Sequence, residues 1–354
     1  MTAHDNYSRL DKLLHHIALE NLELQKSLAD IEDHLYGARL STIPVERPVF
    51  ITSLPRAGTT LLLEVINASG AFATHAYRDM PFVLSPLIWN SVSRGFRREQ
   101  VLRERAHGDG MLVGFDSPEA FEEVLWKAFW PGKYRRTHIE LWQSSDRDEE
   151  FEAALTNHMR KIISLRTTAS CRGLRYLSKN NANVARLDLL TTLFPECKIL
   201  VPFRNPLDHV GALARQHANF LDLHTKDDFA LRYMEWIGHY EFGKAIRPIA
   251  FAGTVPADVG SGRFWLDYWS LGFAAILEHS CTNLVLIDYD GLCEEPGSHL
   301  ARIADAIGID RNDLVSQRER FRPATRYENK ALQELLDGRP GCETIHGRLC
   351  ERAV

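Results

Sequence analysis

Residues 55 to 60 read PRAGTT and place an arginine, a glycine and two hydroxyls at the start of a helical run. The preceding PVFITSL is apolar, and TTLLLEVINAS reads as a helix. A strand that turns at a glycine into a helix presents backbone N–H groups and the positive end of the helix dipole, which together make an anion site. Gly58 lets the chain approach an anion closely, and Thr59 and Thr60 add hydroxyl donors. Arg56 offers a planar fork suited to phosphate or sulfate oxygens. The nucleotide-binding pattern G-x-x-x-x-G-K-[ST] is not met, because Ser53 stands at its first glycine and Thr59 at its lysine. A second cation, Arg204, directly follows the apolar run KILVPF. Ligands in α/β folds sit at the carboxyl ends of central strands, which makes Arg204 the second candidate.

These residues need a sheet to hold them. PVFITSL, LRYLSKN, CKILVPF and TNLVLIDYD read as strands, separated by helical stretches, and that alternation predicts a parallel sheet covered on both faces. A helix is expected from Pro206 to about Phe220, and another over SHLARIADAIGI with Leu300, Ile303, Ala304 and Ile307 inward. Residues 6 to 36 read as one amphipathic helix packed on the domain, with a homodimer through it as the other reading. The expected organisation is an N-terminal helix over 1–40, a catalytic domain over 41–330 and a loosely held C-terminal tail over 331–354. Within the domain, 80–170 forms a mostly helical acceptor-side region rich in aromatic residues, among them Trp89, Trp126, Phe129, Trp130, Tyr134 and Trp142.

Bulk properties narrow the function. The chain has 354 residues and a net charge of −5, so no overall basic field invites nucleic acid or an anionic membrane, and any anion site must be built locally. The six cysteines are scattered without a C-x-x-C pair, and no long apolar stretch reads as a transmembrane segment. The expected address is cytoplasmic. No metal set stands out, and the acidic RDEEFE reads as a solvated helix face.

PRAGTT resembles the 5′-phosphosulfate loop of the sulfotransferases that use 3′-phosphoadenosine 5′-phosphosulfate (PAPS). It is closest to the P-R-S-G-T-T form of tyrosylprotein and carbohydrate sulfotransferases, with Ala57 at the usual serine. The resemblance implies a P-loop-NTPase-like three-layer α/β/α fold with a central, mostly parallel sheet. It also implies PAPS as co-substrate, held by Arg56, Ala57, Gly58, Thr59 and Thr60, with no metal. RNPLD resembles the family's second element, which implies that Arg204 grips the 3′-phosphate. Ala212 replaces the serine expected eight residues later, leaving Arg215 or Gln216 as substitutes. In ATHAYRDMPF the family's spacing puts His75 at the base position, Arg78 at a substrate-binding arginine and Pro81 at a proline, with Asp79 as the rival base. YLSKNNANVARL resembles the segment whose lysine, here Lys179, contacts the sulfuryl group, although Asn181 replaces its proline. DYDGLCEEPGSHLARIADAIGI resembles a late architectural element, extending the resemblance over roughly 47 to 310.

Two other readings stand beside this one: a P-loop kinase or NTPase with Asp288 as its magnesium-binding acid, and a non-catalytic nucleotide-binding or scaffold protein. The acceptor expected is a small molecule or glycan. A carbohydrate or glycolipid hydroxyl comes first, a small alcohol or phenol second and a peptide tyrosine third.

Overall fold

The computed structural model describes residues 9–94, 103–104, 112–114, 116–279, 281–323 and 329–354. Among the described residues there are seven strands: β1 (Val49–Ile51), β2 (Phe72–Ala73), β3 (Arg103–Glu104), β4 (Leu112–Val113), β5 (Arg175–Lys179), β6 (Lys198–Phe203) and β7 (Leu284–Asp288). The helices of the first half are α1 (Arg9–Glu20), α2 (Leu22–Leu40), α3 (Thr59–Ala68), α4 (Pro86–Ser93), α5 (Glu123–Phe129), α6 (Glu149–Arg166) and α7 (Leu187–Leu193). Those of the second half are α8 (Pro206–Lys226), α9 (Asp228–Ile237), α10 (Gly262–Glu278), α11 (Tyr289–Glu294), α12 (Pro296–Ile307), α13 (Arg311–Val315), α14 (Lys330–Asp337) and α15 (Pro340–Arg352).

Five strands form one parallel sheet in the order β2-β5-β1-β6-β7, and β3 and β4 make a separate antiparallel ribbon. Register decides which residues meet at the carboxyl edge. Ile51 pairs with Lys179 on one side and Leu200 on the other, while Phe203 pairs with Asp288. The turn after β1, Lys179 and Arg204 therefore all emerge along the same edge. Alternating side chains of each strand feed two cores. Phe50, Tyr176, Ile199, Val201 and Phe203 pack with α5, α6, α8 and α10 on one face. Val49, Ile51, Leu177, Leu200 and Ile287 pack with α3, α12 and α13 on the other. This is the three-layer α/β/α arrangement that the alternation of strands and helices predicts, and Leu300, Ile303, Ala304 and Ile307 are buried as their spacing requires.

The ends of the chain differ from the sequence reading. The expected single helix over 6–36 is two, because Asn21 leaves helical geometry and its side chain caps α2 by accepting from Leu24 N–H at 3.0 Å. The C-terminal segment is not a loose tail. Leu332, Leu336, Cys342 and Leu349 are buried by α14 and α15. Ala353 then bridges Leu286, and Val354 N–H donates to Leu286 O at 3.0 Å. The physical reason lies in β7, an edge strand whose open backbone groups need cover. Short polar helices gave no sequence sign of that duty.

The N-terminal helix is bolted on by buried polar groups. Gln25, fully buried, donates to Ala18 O (2.9 Å) and accepts from Leu84 N–H (3.1 Å). Lys161 of α6, 2% exposed, lies 2.7 Å from Asp33 and 3.5 Å from the fully buried Glu32, which also accepts from Ile88 N–H at 2.6 Å. Burial raises the Glu32 carboxyl to about 7 against the pull of Lys161. Removing one partner leaves the other without compensation, so Lys161→Ala is expected to lower unfolding free energy by about 3 kcal/mol. Urea denaturation of the variant checks this, with Glu32→Gln/Lys161→Met expected to recover part of the loss.

Candidate active site

The turn after β1 is tied down on three sides before it reaches the helix. Thr52 donates from its hydroxyl to Asn181 O (3.1 Å), and Ser53 from its hydroxyl to Pro202 O (2.6 Å). His209, fully buried in α8, completes the set. Trp269 Nε1–H donates to His209 Nδ1 (3.2 Å), which puts the ring proton on Nε2, where it is donated to Pro55 O (2.8 Å). Burial pushes this imidazole down to about 4, so it stays neutral and keeps that tautomer.

Between these anchors the backbone takes two left-handed steps, at Arg56 (φ 69°) and Gly58 (φ 91°). Gly58 is the N-cap of α3. A β-carbon there would collide with the ring of Tyr289, so the position requires glycine twice over, for its backbone angle and for its space. Ala57 and Thr59 are buried, while Arg56, Gly58 and Thr60 are half-exposed. The first turn of α3 thus faces the carboxyl edge of the sheet with its N–H groups, Arg56 beside them.

Arg204 emerges from β6 half-buried. Its Nε donates to Asp290 Oδ1 (3.2 Å), and Asp290 Oδ2 accepts from Asn205 N–H (2.8 Å). Asp290 belongs to the DYDGL segment, which therefore orients this cation as well as supporting the sheet. Asn205 caps α8 by accepting from Leu207 N–H (3.0 Å). Arg215 lies exposed on α8, one turn beyond the half-buried Ala212. Lys179 ends β5 and is 8% exposed.

The two base candidates are placed differently. His75, 1% exposed, stacks on His158 with ring centroids 4.9 Å apart. Tyr176 gives its single proton to Glu122 Oε2 (2.9 Å), so His75 Nε2–H is the donor toward Tyr176 Oη (3.3 Å) and His158 Nε2 (3.1 Å). Its Nδ1 is buried with no hydrogen-bond partner. Burial, with Arg166 nearby, pushes the ring down to about 3. Asp79, 2% exposed, accepts from Ala76 N–H (2.8 Å) and is paired with Arg166, which also donates to Thr74 O (3.0 Å). Burial raises its carboxyl against the pull of Arg166. Arg78 is half-exposed and pairs with Asp116. The histidine and aspartate pin the chain after β2, and neither lines the pocket at the turn.

That pocket is narrow: the space between its atoms comes to about 470 Å³ only when the open solvent at its mouth is included. Ser53, Leu54 and Pro55 of the turn form one wall, Asn181 and Ala182 a second, and Tyr240, Glu241, Arg247, Phe264, Trp265 and Tyr268 the rest. Among the described residues of the region 80–170, which the sequence reading made the acceptor side, Ile139 alone lines the pocket. Of the aromatics of that region, Trp126 and Trp142 are fully buried in the core, and both rings contact the guanidinium of Arg186, at 4.2 and 4.3 Å.

Sequence reasoning missed His209, Asn181, Tyr289 and Glu241. Asn181 carried a signal, as the departure at the usual proline. Glu241 carried none, since it lies in an irregular loop after α9 with no spacing relation to any motif.

Comparison with known proteins agrees with this architecture. The model of a family described as "Sulfotransferase family" matches residues 48–247, more than half of the chain. The chain belongs to the sulfotransferase family. That assignment displaces the kinase or NTPase reading. Among solved structures it is similar to sulfotransferase STF1 from Mycobacterium tuberculosis H37Rv, with a TM-score of 0.46 and 14% identity over 91% of this chain and 81% of that one. It is also similar to sulfotransferase STF9 from Mycobacterium avium, with a TM-score of 0.45 and 14% identity over 88% and 79% of the two chains. Mouse sulfotransferase SULT7A1, complexed with PAP, aligns with a TM-score of 0.32 and 14% identity over 79% and 68%. No curated protein matches.

The buried histidines set an acid limit on the fold. His75 is held neutral in the folded chain but protonates near its ordinary 6.5 when unfolded, so its contribution is complete above about pH 6.5 and declines as pH falls toward 3. Between pH 7 and 5 the loss from this one group is about 2 kcal/mol. His75→Asn is expected to show a smaller loss over that interval in urea unfolding.

Proposed function

We propose that this enzyme transfers the sulfuryl group of PAPS to a hydroxyl carried on a ring, by in-line displacement. The observation that carries the reading is the pairing of two cationic anion sites on adjacent parallel strands. One is the Arg56–Thr60 turn at the start of α3, and the other is Arg204 at the end of β6, oriented by Asp290. A cofactor with phosphate at both ends of its adenosine suits two such sites. The turn takes the 5′-phosphosulfate, and Arg204 takes the 3′-phosphate with Arg215 in support. Lys179, at the same edge and adjacent to the turn, neutralises charge on the leaving phosphate. No metal is asked for, because the sulfuryl group carries less charge than a phosphoryl group.

The acceptor enters the pocket beside the turn. Tyr240, Trp265 and Tyr268 line it together with the polar Asn181, Glu241 and Arg247. That combination suits a sugar ring, apolar on one face and polar at its edge, so a carbohydrate or glycolipid hydroxyl is the acceptor proposed. The predominance of aromatic and aliphatic side chains in the lining favours a phenol as the second reading. Labelled PAPS offered with sugars, glycolipids and phenols distinguishes them by which product acquires the label. Cofactor binding is checked by calorimetry with 3′-phosphoadenosine 5′-phosphate (PAP). Arg56→Ala and Arg204→Ala are each expected to weaken it by about 1–3 kcal/mol, the size of a lost charged hydrogen bond. Stabilisation by ATP with magnesium and none by PAP would overturn the reading.

A further inference from the structure

The structure assigns a catalytic group that lies in no motif. We propose that Glu241 is the carboxylate that receives the proton of the acceptor hydroxyl, held at the cradle by Asn181 and His239. The inference rests on the sulfuryl-transfer reading and names the base of that same site.

Its position is the first support. The Asn181 side chain spans the gap between cradle and carboxylate. Its Oδ1 accepts from the Thr59 hydroxyl (3.3 Å), in the first turn of α3, and its Nδ2 donates to Glu241 Oε1 (3.2 Å). Asn181 is itself fixed, because its carbonyl accepts from Thr52 and the neighbouring Asn180 donates to Glu123 (2.7 Å). Glu241 is thus one amide removed from the residues that would hold the reacting group, and it lines the pocket together with Ser53, Leu54 and Pro55. Its second oxygen lies 2.9 Å from His239 Nδ1, and the His239 ring is stacked on Phe220 at 5.8 Å and 14°. Oε1 has that single hydrogen bond from Asn181 and Oε2 has none, and because each carboxylate oxygen accepts at two sites there is room for an incoming hydroxyl.

Its charge is the second support. Burial alone would raise the Glu241 carboxyl, but His239 and the charge of Lys179 outweigh it and hold the group down at about 2. A group this acidic is a modest base in the abstract. The acceptor hydroxyl, however, becomes strongly acidic only as its oxygen bonds to sulfur, so the receiver has to be ionised and adjacent more than strongly basic. His75 is unprotonated but not adjacent. It is enclosed by Tyr176 and His158, and reaching the pocket would break that stack. Asp79 is committed to Arg166 and Ala76.

The step balances as follows. The acceptor oxygen forms a bond to sulfur while the bond from sulfur to the phosphate oxygen breaks, and that electron pair leaves with PAP beside Lys179 and the cradle. The hydroxyl proton moves to a Glu241 carboxylate oxygen. His239, in contact with the other oxygen, links the new acid to solvent, and the proton is lost there before the next turnover.

The test compares wild type, Glu241→Gln, Glu241→Asp and His75→Asn. PAP binding is measured by calorimetry, and sulfuryl transfer from labelled PAPS is followed to N-acetylglucosamine, to 4-nitrophenol or, where wild type takes neither, to water. Glu241→Gln is expected to bind PAP as wild type does and to lose turnover by about 10²–10⁴-fold with KM nearly unchanged. Glu241→Asp, which keeps the charge but withdraws it, is expected to lose turnover by about tenfold with PAP binding intact, and it decides the matter if the glutamine variant does not fold. His75→Asn is expected to keep turnover. Wild-type turnover in Glu241→Gln would overturn the proposal, as would loss of PAP affinity in step with turnover or a dead His75→Asn that still binds PAP. Failure of wild type itself to bind PAP would instead remove the sulfuryl-transfer reading, a separate outcome.

Discussion

A guanidinium with no access to water ties α5 to the segment that leaves β5. Arg186 is fully buried against the rings of Trp126 and Trp142, and its fork meets both oxygens of Glu123 at 2.9 and 3.0 Å. Burying such a pair is favourable only when geometry is good and the remaining donors and acceptors are met. Here Asn180 shares Glu123, while Trp126, Asn183 and Tyr176 converge on the neighbouring Glu122 at 3.1, 3.2 and 2.9 Å, although Arg186 Nε stays buried without a hydrogen-bond partner. Arginine suits this position better than lysine, because a planar delocalised cation can stack and chelate at once. The network locks α5 to the segment that leaves β5, and through Asn180 it fixes Asn181, the amide on which the pocket side of the site hangs.

Electrostatics explain why the site is built from so few groups. The chain is net acidic, so anion affinity cannot come from a general field. In the proposed site it falls to a helix start and a handful of cations, each placed by an uncharged or oppositely charged neighbour. His209 holds the turn while neutral, Asp290 orients Arg204, and Tyr289 closes the space over Gly58. Burial has driven several histidines out of the physiological range, His75 and His158 among them, and turned them from titrating groups into packing and hydrogen-bonding ones.

The legibility of the site followed sequence locality. PRAGTT was readable because a strand, a turn and a helix start occupy consecutive residues, and their chemistry depends on that adjacency alone. Arg204 was readable because it ends an unmistakable apolar strand. His75 was placed by its distance from the loop, and distance along the chain does not report which way a side chain points. The aromatic richness of 80–170 suggested an acceptor pocket, yet Trp126 and Trp142 went to a buried cation, Arg186, that lies outside that region. The C-terminal helices were invisible as structural elements because their task, covering the edge of β7, exists only once the sheet has formed.

By itself, then, the sequence determined the parallel sheet, the anion-binding turn and the cationic strand end, since strand periodicity, glycine and arginine act within a few residues of themselves. Tertiary structure alone decided which carboxylate faces that turn. Glu241 reaches the turn only through the register of β5 beside β1 and the return of the chain after α9, and its ionisation depends on His239 and Lys179 together. Proton affinity is set by the surroundings of a group, and those surroundings are assembled by folding.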